Sequence, residues 1–340
     1  MQSADPPSAV TSRDEDTARS GRQTGAGHPP ADRIGASYGP LVRQSHAGWE
    51  RIARRAAHQG LVAVGQPTHR ARLLPSFLIV GAERCGTSSL YHVLRQHPAV
   101  FGSGIPRKEV HYFDLAYRHG LPWYQAHFPL KARARLAARG ASAAPVAFEA
   151  TPYYMFHPLA PERIARDLPG VKLLVLVRDP VQRAYSAYGL RIGRGVETES
   201  FERALELEDA RLDGEADRMV ADPSYVSHNH RHFAYRARGH YADQLEHMEK
   251  LFGRDRIHVE DSGEFFADPR PVYRRILDFL GLPQRDYPDV ATEKTRKREP
   301  MPETVRAALD EHYRPYDERL TVWLGHEPSW RRQAKPGEGR

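Results

Sequence analysis

The stretch Phe77–Pro98, FLIVGAERCGTSSLYHVLRQHP, constrains the fold more than any other part of the chain. Phe77, Leu78, Ile79 and Val80 run apolar without a break, which suits a strand buried on both faces, as in a parallel sheet. Leu90, Val93 and Leu94 then recur at helical spacing. Between them lies a glycine-bounded loop with several hydroxyls and one arginine. Strand, loop and helix in this order gather backbone N–H groups and the positive end of a helix dipole around one point. Such a point is a ready site for a phosphate or another anion.

The chain has 340 residues, enough for one large domain or two ordinary ones. Fifty basic residues against 43 acidic ones leave a charge of +7, which favours anionic partners: nucleic acid, polyanionic glycans or nucleotides. Cys85 is the only cysteine, so an internal disulfide framework and a multi-cysteine zinc site are both excluded. No window approaches the roughly 18 apolar residues of a membrane span, and the N-terminus lacks the apolar core of a signal peptide. The expectation is a soluble, cytoplasmic protein.

Residues 1–46 are rich in Ser, Gly, Pro, Asp and Arg with few clustered apolar residues, and read as a disordered arm. Residues 47–72 form a basic, partly helical lead-in, 73–330 a single domain, and 331–340 a disordered tail. Further strands are expected at Val146–Phe148, Leu173–Val177 and Ile257–Glu260. Asp179 as N-cap and Pro180 at the first helical position start a helix, and Asp268 with Pro269 repeat the signal. Tyr241, Leu245, Met248 and Phe252 share one helix face, and Val305, Leu309 and Tyr313 another. Strands alternating with helices predict an α/β fold, with a P-loop-like central parallel sheet flanked by helices on both faces.

The loop Gly81–Ser88 has the outline of a Walker A loop, but Thr87 stands where that motif carries lysine. Arg178, not an aspartate, ends the Leu173–Val177 strand, so the usual Mg-nucleotide machinery is hard to assemble. A nucleotide kinase or hydrolase is therefore disfavoured. A non-catalytic basic module binding a polyanion is the other alternative.

From about Ser76 to Leu324 the chain resembles the sulfotransferases that use 3′-phosphoadenosine 5′-phosphosulfate (PAPS), especially the heparan sulfate N- and 3-O-sulfotransferase branch. That family's 5′-phosphosulfate loop matches Gly81–Ser89. Its KEVHFFD segment appears as Lys108–Asp114, and its RDPxxRxxSxY motif as Arg178, Asp179, Pro180, Arg183, Ser186 and Tyr188. The resemblance implies transfer of a sulfuryl group to a hydroxyl or amine by in-line displacement. PAPS would be the donor, adenosine 3′,5′-bisphosphate the product, and no metal would be required.

Glu109 matches the family's general base. His111 takes a supporting acid, base or hydrogen-bonding role, and Arg84 a purely electrostatic one, being permanently charged. The donor would be held by Arg84, Cys85, Gly86, Thr87, Ser88 and Ser89 in the loop, by Arg178 and Ser186 at the 3′-phosphate, and by Lys294 and Arg296 in a basic loop. Glu83 would pair with Arg84 or face water. Asp114 and Tyr112 are expected to touch the acceptor. Thr295 replaces the family's glycine in Lys294–Lys297. Leu159 stands where the 3-O-sulfotransferases place an acceptor-binding lysine, which argues against a heparan-like polyanion. The composition, rich in Arg and Ala, suits a bacterial enzyme acting on a small molecule, lipid or glycoside rather than on nucleic acid. The oligomeric state is left open.

Overall fold

In the computed structural model, residues 56, 58–104, 108–289 and 300–332 are described. The lead-in's residues 47–55, the 1–46 arm, Lys294, Thr295 and Arg296 lie outside them. Five strands form one sheet: β1 (Pro75–Gly81), β2 (Val100–Phe101), β3 (Val146–Ala150), β4 (Lys172–Val177) and β5 (Ile257–Asp261), in the order β2-β3-β1-β4-β5. Every pairing is parallel. Phe77, Leu78, Ile79 and Val80 are all buried, as are Leu173 through Val177, because the sheet is covered on both sides.

The main helices are α1 (Thr87–Leu94), α2 (Ala160–Asp167), α3 (Pro180–Ile192), α4 (Tyr241–Phe252), α5 (Pro269–Leu280) and α6 (Glu303–Leu324). Leaving β1 the chain moves to one side of the sheet, and leaving β3 it crosses back to the other. Right-handed crossovers then place helices on opposite faces. Accordingly α2 packs on α4, while His97, just beyond α1, bonds to the Pro283 carbonyl just beyond α5. The reversal of direction at β1 makes the carboxyl ends of β3, β1 and β4 a topological switch point, where open α/β sheets bind ligands. The phosphate loop follows β1 directly.

Asp179 caps α3 as expected, accepting from the Val181 and Gln182 amides, and Gly281 ends α5 in the left-handed region. Several short helices between Phe201 and His232 had no clear periodic signal. The first of them, Phe201–Glu206, packs with α3 and α6 into a second small core that includes Val181, Phe201, Tyr235 and Tyr313. The boundaries also move: Arg72, placed in the lead-in, joins the domain by donating to the Phe128 carbonyl at 2.7 Å. At the other end, Arg331 is anchored rather than part of a loose tail: it donates to Asp317 at 2.7 Å and to Asp310 at 2.9 Å. Among the described residues no helix is long and apolar enough to cross a membrane.

Asp261, at the end of β5, fastens the C-terminal segment to the sheet. Its buried carboxylate accepts from the Gly263 amide at 2.7 Å, the Ser329 amide at 2.8 Å and the Ser329 hydroxyl at 3.0 Å. Asp261→Ala strands these donors and is expected to cost about 2–4 kcal/mol of stability, read from urea denaturation.

Candidate active site

The loop after β1 turns through two residues of positive φ, Arg84 at 71° and Gly86 at 90°. Position 86 needs glycine twice over: its φ disfavours any side chain, and a Cβ would lie 2.8 Å from the Phe266 ring. Alternating backbone hand of this kind turns successive N–H groups inward into an anion-binding concavity. The first intrahelical bond of α1 runs from the Leu90 amide to the Gly86 carbonyl at 3.2 Å. The amides of Thr87, Ser88 and Ser89 therefore precede the helical ladder, and no side chain caps them.

Arg84 and Ser186, far apart in sequence, meet: Arg84 Nε donates to Ser186 Oγ at 3.0 Å. Arg178 follows β4 with its carbonyl accepting from Tyr241 Oη at 3.0 Å. Its guanidinium makes no hydrogen bond or ion pair among the described residues. Arg84, Gly86, Thr87, Ser88, Ser89, Arg178 and Ser186 thus surround the end of β1.

Cys85 is the exception within the loop. Its side chain is buried 3.5 Å from the Tyr241 hydroxyl, and its amide already donates to the Ala82 carbonyl. Burial pushes the thiol up to about 11, only partly opposed by the Tyr241 bond. Its side chain is a core contact, so the expectation that it binds a ligand is corrected.

Glu83 has partners that the sequence reading did not name. It accepts from Arg191 Nη2 at 2.8 Å and from Arg238, beneath the loop. Burial raises its pKa, but Arg238, Arg191 and the buried Arg183 outweigh this and hold it down to about 2.

The segment from Lys108 is pinned to the end of β3. The Ala150 amide donates to the Lys108 carbonyl at 3.2 Å, and the Val110 amide donates to Glu149 Oε2 at 3.0 Å. The Tyr112 amide donates to Tyr154 Oη at 2.9 Å. Glu109 and His111, the intervening residues, stand in contact with each other. Glu109 Oε2 lies 3.2 Å from His111 Nε2, and His111 Nδ1 lies 2.7 Å from Asp114 Oδ2. Both ring nitrogens face carboxylate oxygens, and only a doubly protonated imidazole donates to both. Burial works against that charge, but the bonds to Asp114 and Glu109 hold His111 up to about 10. His111 is therefore an imidazolium at neutral pH, a hydrogen-bond donor and not a base.

Glu109 is the more exposed partner, with 37% of its side chain accessible. Burial alone would raise its pKa, but the His111 bond and the Lys108 charge leave it below the usual carboxylate range. It stays ionised. Lys108, which the residue-by-residue reading passed over, reaches from Glu109 Oε1 at 3.4 Å to Thr87 Oγ1 at 3.1 Å. It joins the loop to the carboxylate chain, and its place beside Glu109 in sequence was the available signal.

Two further positions are corrected. Tyr112 is buried, its ring stacked on Tyr124 at 4.7 Å and its hydroxyl donating to Asp167, so its side chain belongs to the core. Asp114 is also buried and orients His111 while accepting from the Leu115 amide at 2.8 Å. It reaches a substrate only through His111.

The sulfotransferase domain profile matches residues 74–312. The chain is 29% identical over 283 residues to human heparan sulfate glucosamine 3-O-sulfotransferase 6, covering 76% of this chain and 74% of that protein. It is 24% identical over 352 residues to the membrane-associated sulfotransferase kil1 of Dictyostelium discoideum, covering 83% of this chain and 71% of the relative. Among solved structures, a sulfotransferase from Alicyclobacillus acidocaldarius superposes with a TM-score of 0.55. It is 31% identical and covers 76% of this chain and 99% of that one.

The arginine nest under the loop makes a pH-dependent prediction. A carboxylate depressed to about 2 contributes stability above pH 4.5, lost as pH falls toward 2. Wild type should exceed Glu83→Gln by roughly 3 kcal/mol at neutral pH. In urea titrations across pH, the gap should narrow as pH falls below about 4.5 and close near pH 2.

Proposed function

The chain belongs to the sulfotransferase domain family, and from that premise we propose that its sulfuryl donor is PAPS and that Glu109 is the general base. Sulfuryl transfer itself follows from the family. The observation that carries the finer reading is the line of contacts from Thr87 through Lys108 and Glu109 to His111 and Asp114, which sets an ionised carboxylate beside an anion cradle.

The cradle's make-up suits this donor. The turn through Arg84 and Gly86 and the leading amides of α1 are fitted to the 5′-phosphosulfate. Arg178 and Ser186 are assigned to the 3′-phosphate, and arginine's planar fork suits phosphate. Lys294 and Arg296 would close over the nucleotide. The donor supplies an activated sulfur whose leaving group is a phosphate.

Glu109 takes the proton of the attacking hydroxyl or amine. His111 and Lys108 keep the carboxylate ionised and oriented beforehand, and Arg84 sets positive charge where the departing phosphate gains negative charge. The acceptor is assigned to a small molecule, lipid or glycoside, since Leu159 offers no charge to a sulfated polymer. The enzyme is placed in a bacterial cytoplasm.

Two measurements test this reading. Adenosine 3′,5′-bisphosphate should raise the melting temperature and Mg-ATP should not; the reverse would refute the donor. Glu109→Gln should lose about 10²–10⁴-fold in kcat while still binding the bisphosphate. Full retained activity would refute the base.

The pH profile of kcat/KM carries its own signature. Activity should be level through neutrality, fall in acid below the ordinary carboxylate pKa as Glu109 is protonated, and fall again near pH 10 as His111 loses its proton. His111→Ala should change the shape and midpoint of the alkaline limb, leaving Lys108 as the group that titrates there.

A further inference from the structure

We propose that Lys108 supplies, from outside the loop, the cation that the loop lacks, and that its ammonium binds the 5′-phosphate end of the donor. The proposal rests on the donor reading above.

A Walker loop carries its own lysine next to the hydroxyl residue. Here that place is Thr87, and the ammonium that reaches it comes from 21 residues downstream, with Nζ 3.1 Å from Thr87 Oγ1. The root of the side chain is fixed, because the Lys108 carbonyl accepts from the Ala150 amide at the end of β3. Only 19% of the side chain is exposed.

An ammonium has three donors. Thr87 and Glu109 take two, and no third acceptor lies within reach among the described residues. Its neighbourhood is also electrostatically wrong for a cation. Thr87 is the first residue of α1, so Lys108 sits at the positive end of that helix, a position that favours anions and disfavours cations. Arg84 adds to the positive field in the same loop. Glu109 is the carboxylate in contact with Lys108, and Glu83 beneath the loop adds a weaker, more distant negative charge. Burial lowers the Lys108 pKa, with Glu109 and, more weakly, Glu83 opposing and Arg84 adding to the fall. An anion on the loop would satisfy the amides, Arg84 and the remaining ammonium donor together.

In the transfer step the acceptor atom forms a bond to sulfur as the bond between sulfur and the 5′-phosphate oxygen breaks. The electron pair leaves with the phosphate, and the acceptor's proton passes to Glu109. Lys108 keeps its proton throughout and neutralises the charge arriving on the phosphate.

Calorimetric titration with two nucleotides separates this role from a structural one. Adenosine 3′,5′-bisphosphate carries the 5′-phosphate; adenosine 3′-phosphate does not. Lys108→Met should weaken the first by at least about tenfold and leave the second within about twofold. Lys108→Arg, which keeps the charge, should recover most of the loss. Retained binding of adenosine 3′-phosphate also certifies that the variant is folded, and Lys108→Gln takes its place if the methionine variant is not. Equal losses for both nucleotides, or no loss for the bisphosphate, would overturn the assignment. A wild-type protein that binds neither nucleotide would refute the donor reading, and Lys108's role with it.

Discussion

Glu149 is the constraint on which the site depends. Its carboxylate is fully buried at the end of β3 and accepts four hydrogen bonds: Val110 N–H at 3.0 Å, Thr151 Oγ1 at 2.7 Å, Tyr124 Oη at 3.0 Å and Tyr154 Oη at 2.9 Å. Burial alone raises its pKa, and those four donors oppose the rise. A buried carboxyl is tolerable only when so fully satisfied. By gripping the Val110 amide it holds the residues on either side, Lys108 carbonyl outward to Ala150 and Tyr112 amide inward to Tyr154. Glu109 and His111 are then presented together, and their mutual contact follows from backbone bonds made several ångströms away.

A second charge system lies under the loop. Glu83 engages Arg191 and Arg238, with Arg183 buried beside them. Nε and Nη1 of Arg183 and Nε of Arg238 are buried without a hydrogen-bond partner among the described residues. The cluster is therefore net positive and imperfectly satisfied, a costly arrangement in a stable core. That cost is intelligible if the loop above it must hold an anion, because a fixed positive field beneath needs no rearrangement when charge moves. Removing Glu83 would leave three like charges facing one another.

Much of the frame was legible in the sequence for one reason: strands buried on both faces are unbroken apolar runs, and β1 and β4 are such runs. Asp179 and Asp268 announced helix starts because caps are local chemistry. β2, two residues long, had no room for a pattern, and the short helices between Phe201 and His232 are held by tertiary packing more than by periodicity. At the site, residue identity carried the chemistry but not the direction of each side chain. Cys85, Tyr112 and Asp114 lie in the right segments yet face the core or a neighbour. The Glu83–Arg238 pair and the grip of Glu149 on Val110 depend on long-range contacts that no spacing encodes.

The departure from the Walker pattern becomes a physical statement about coupling. A lysine inside the loop would serve the bound anion alone. An ammonium delivered by the residue beside Glu109 touches the loop hydroxyl and the base at once. Any anion that draws Lys108 toward the loop reduces its hold on Glu109, and a carboxylate with less positive charge nearby is a stronger base. On the proposed roles, donor binding would strengthen Glu109 as a base when there is a sulfuryl group to transfer, and the cation that restrains it beforehand would stabilise the leaving phosphate afterwards. A phosphoryl donor brings more negative charge than a sulfuryl donor, which is where a metal ion earns its place in kinases. Under the proposed donor, the single lysine, Arg84 and the leading amides of α1 would suit the smaller charge.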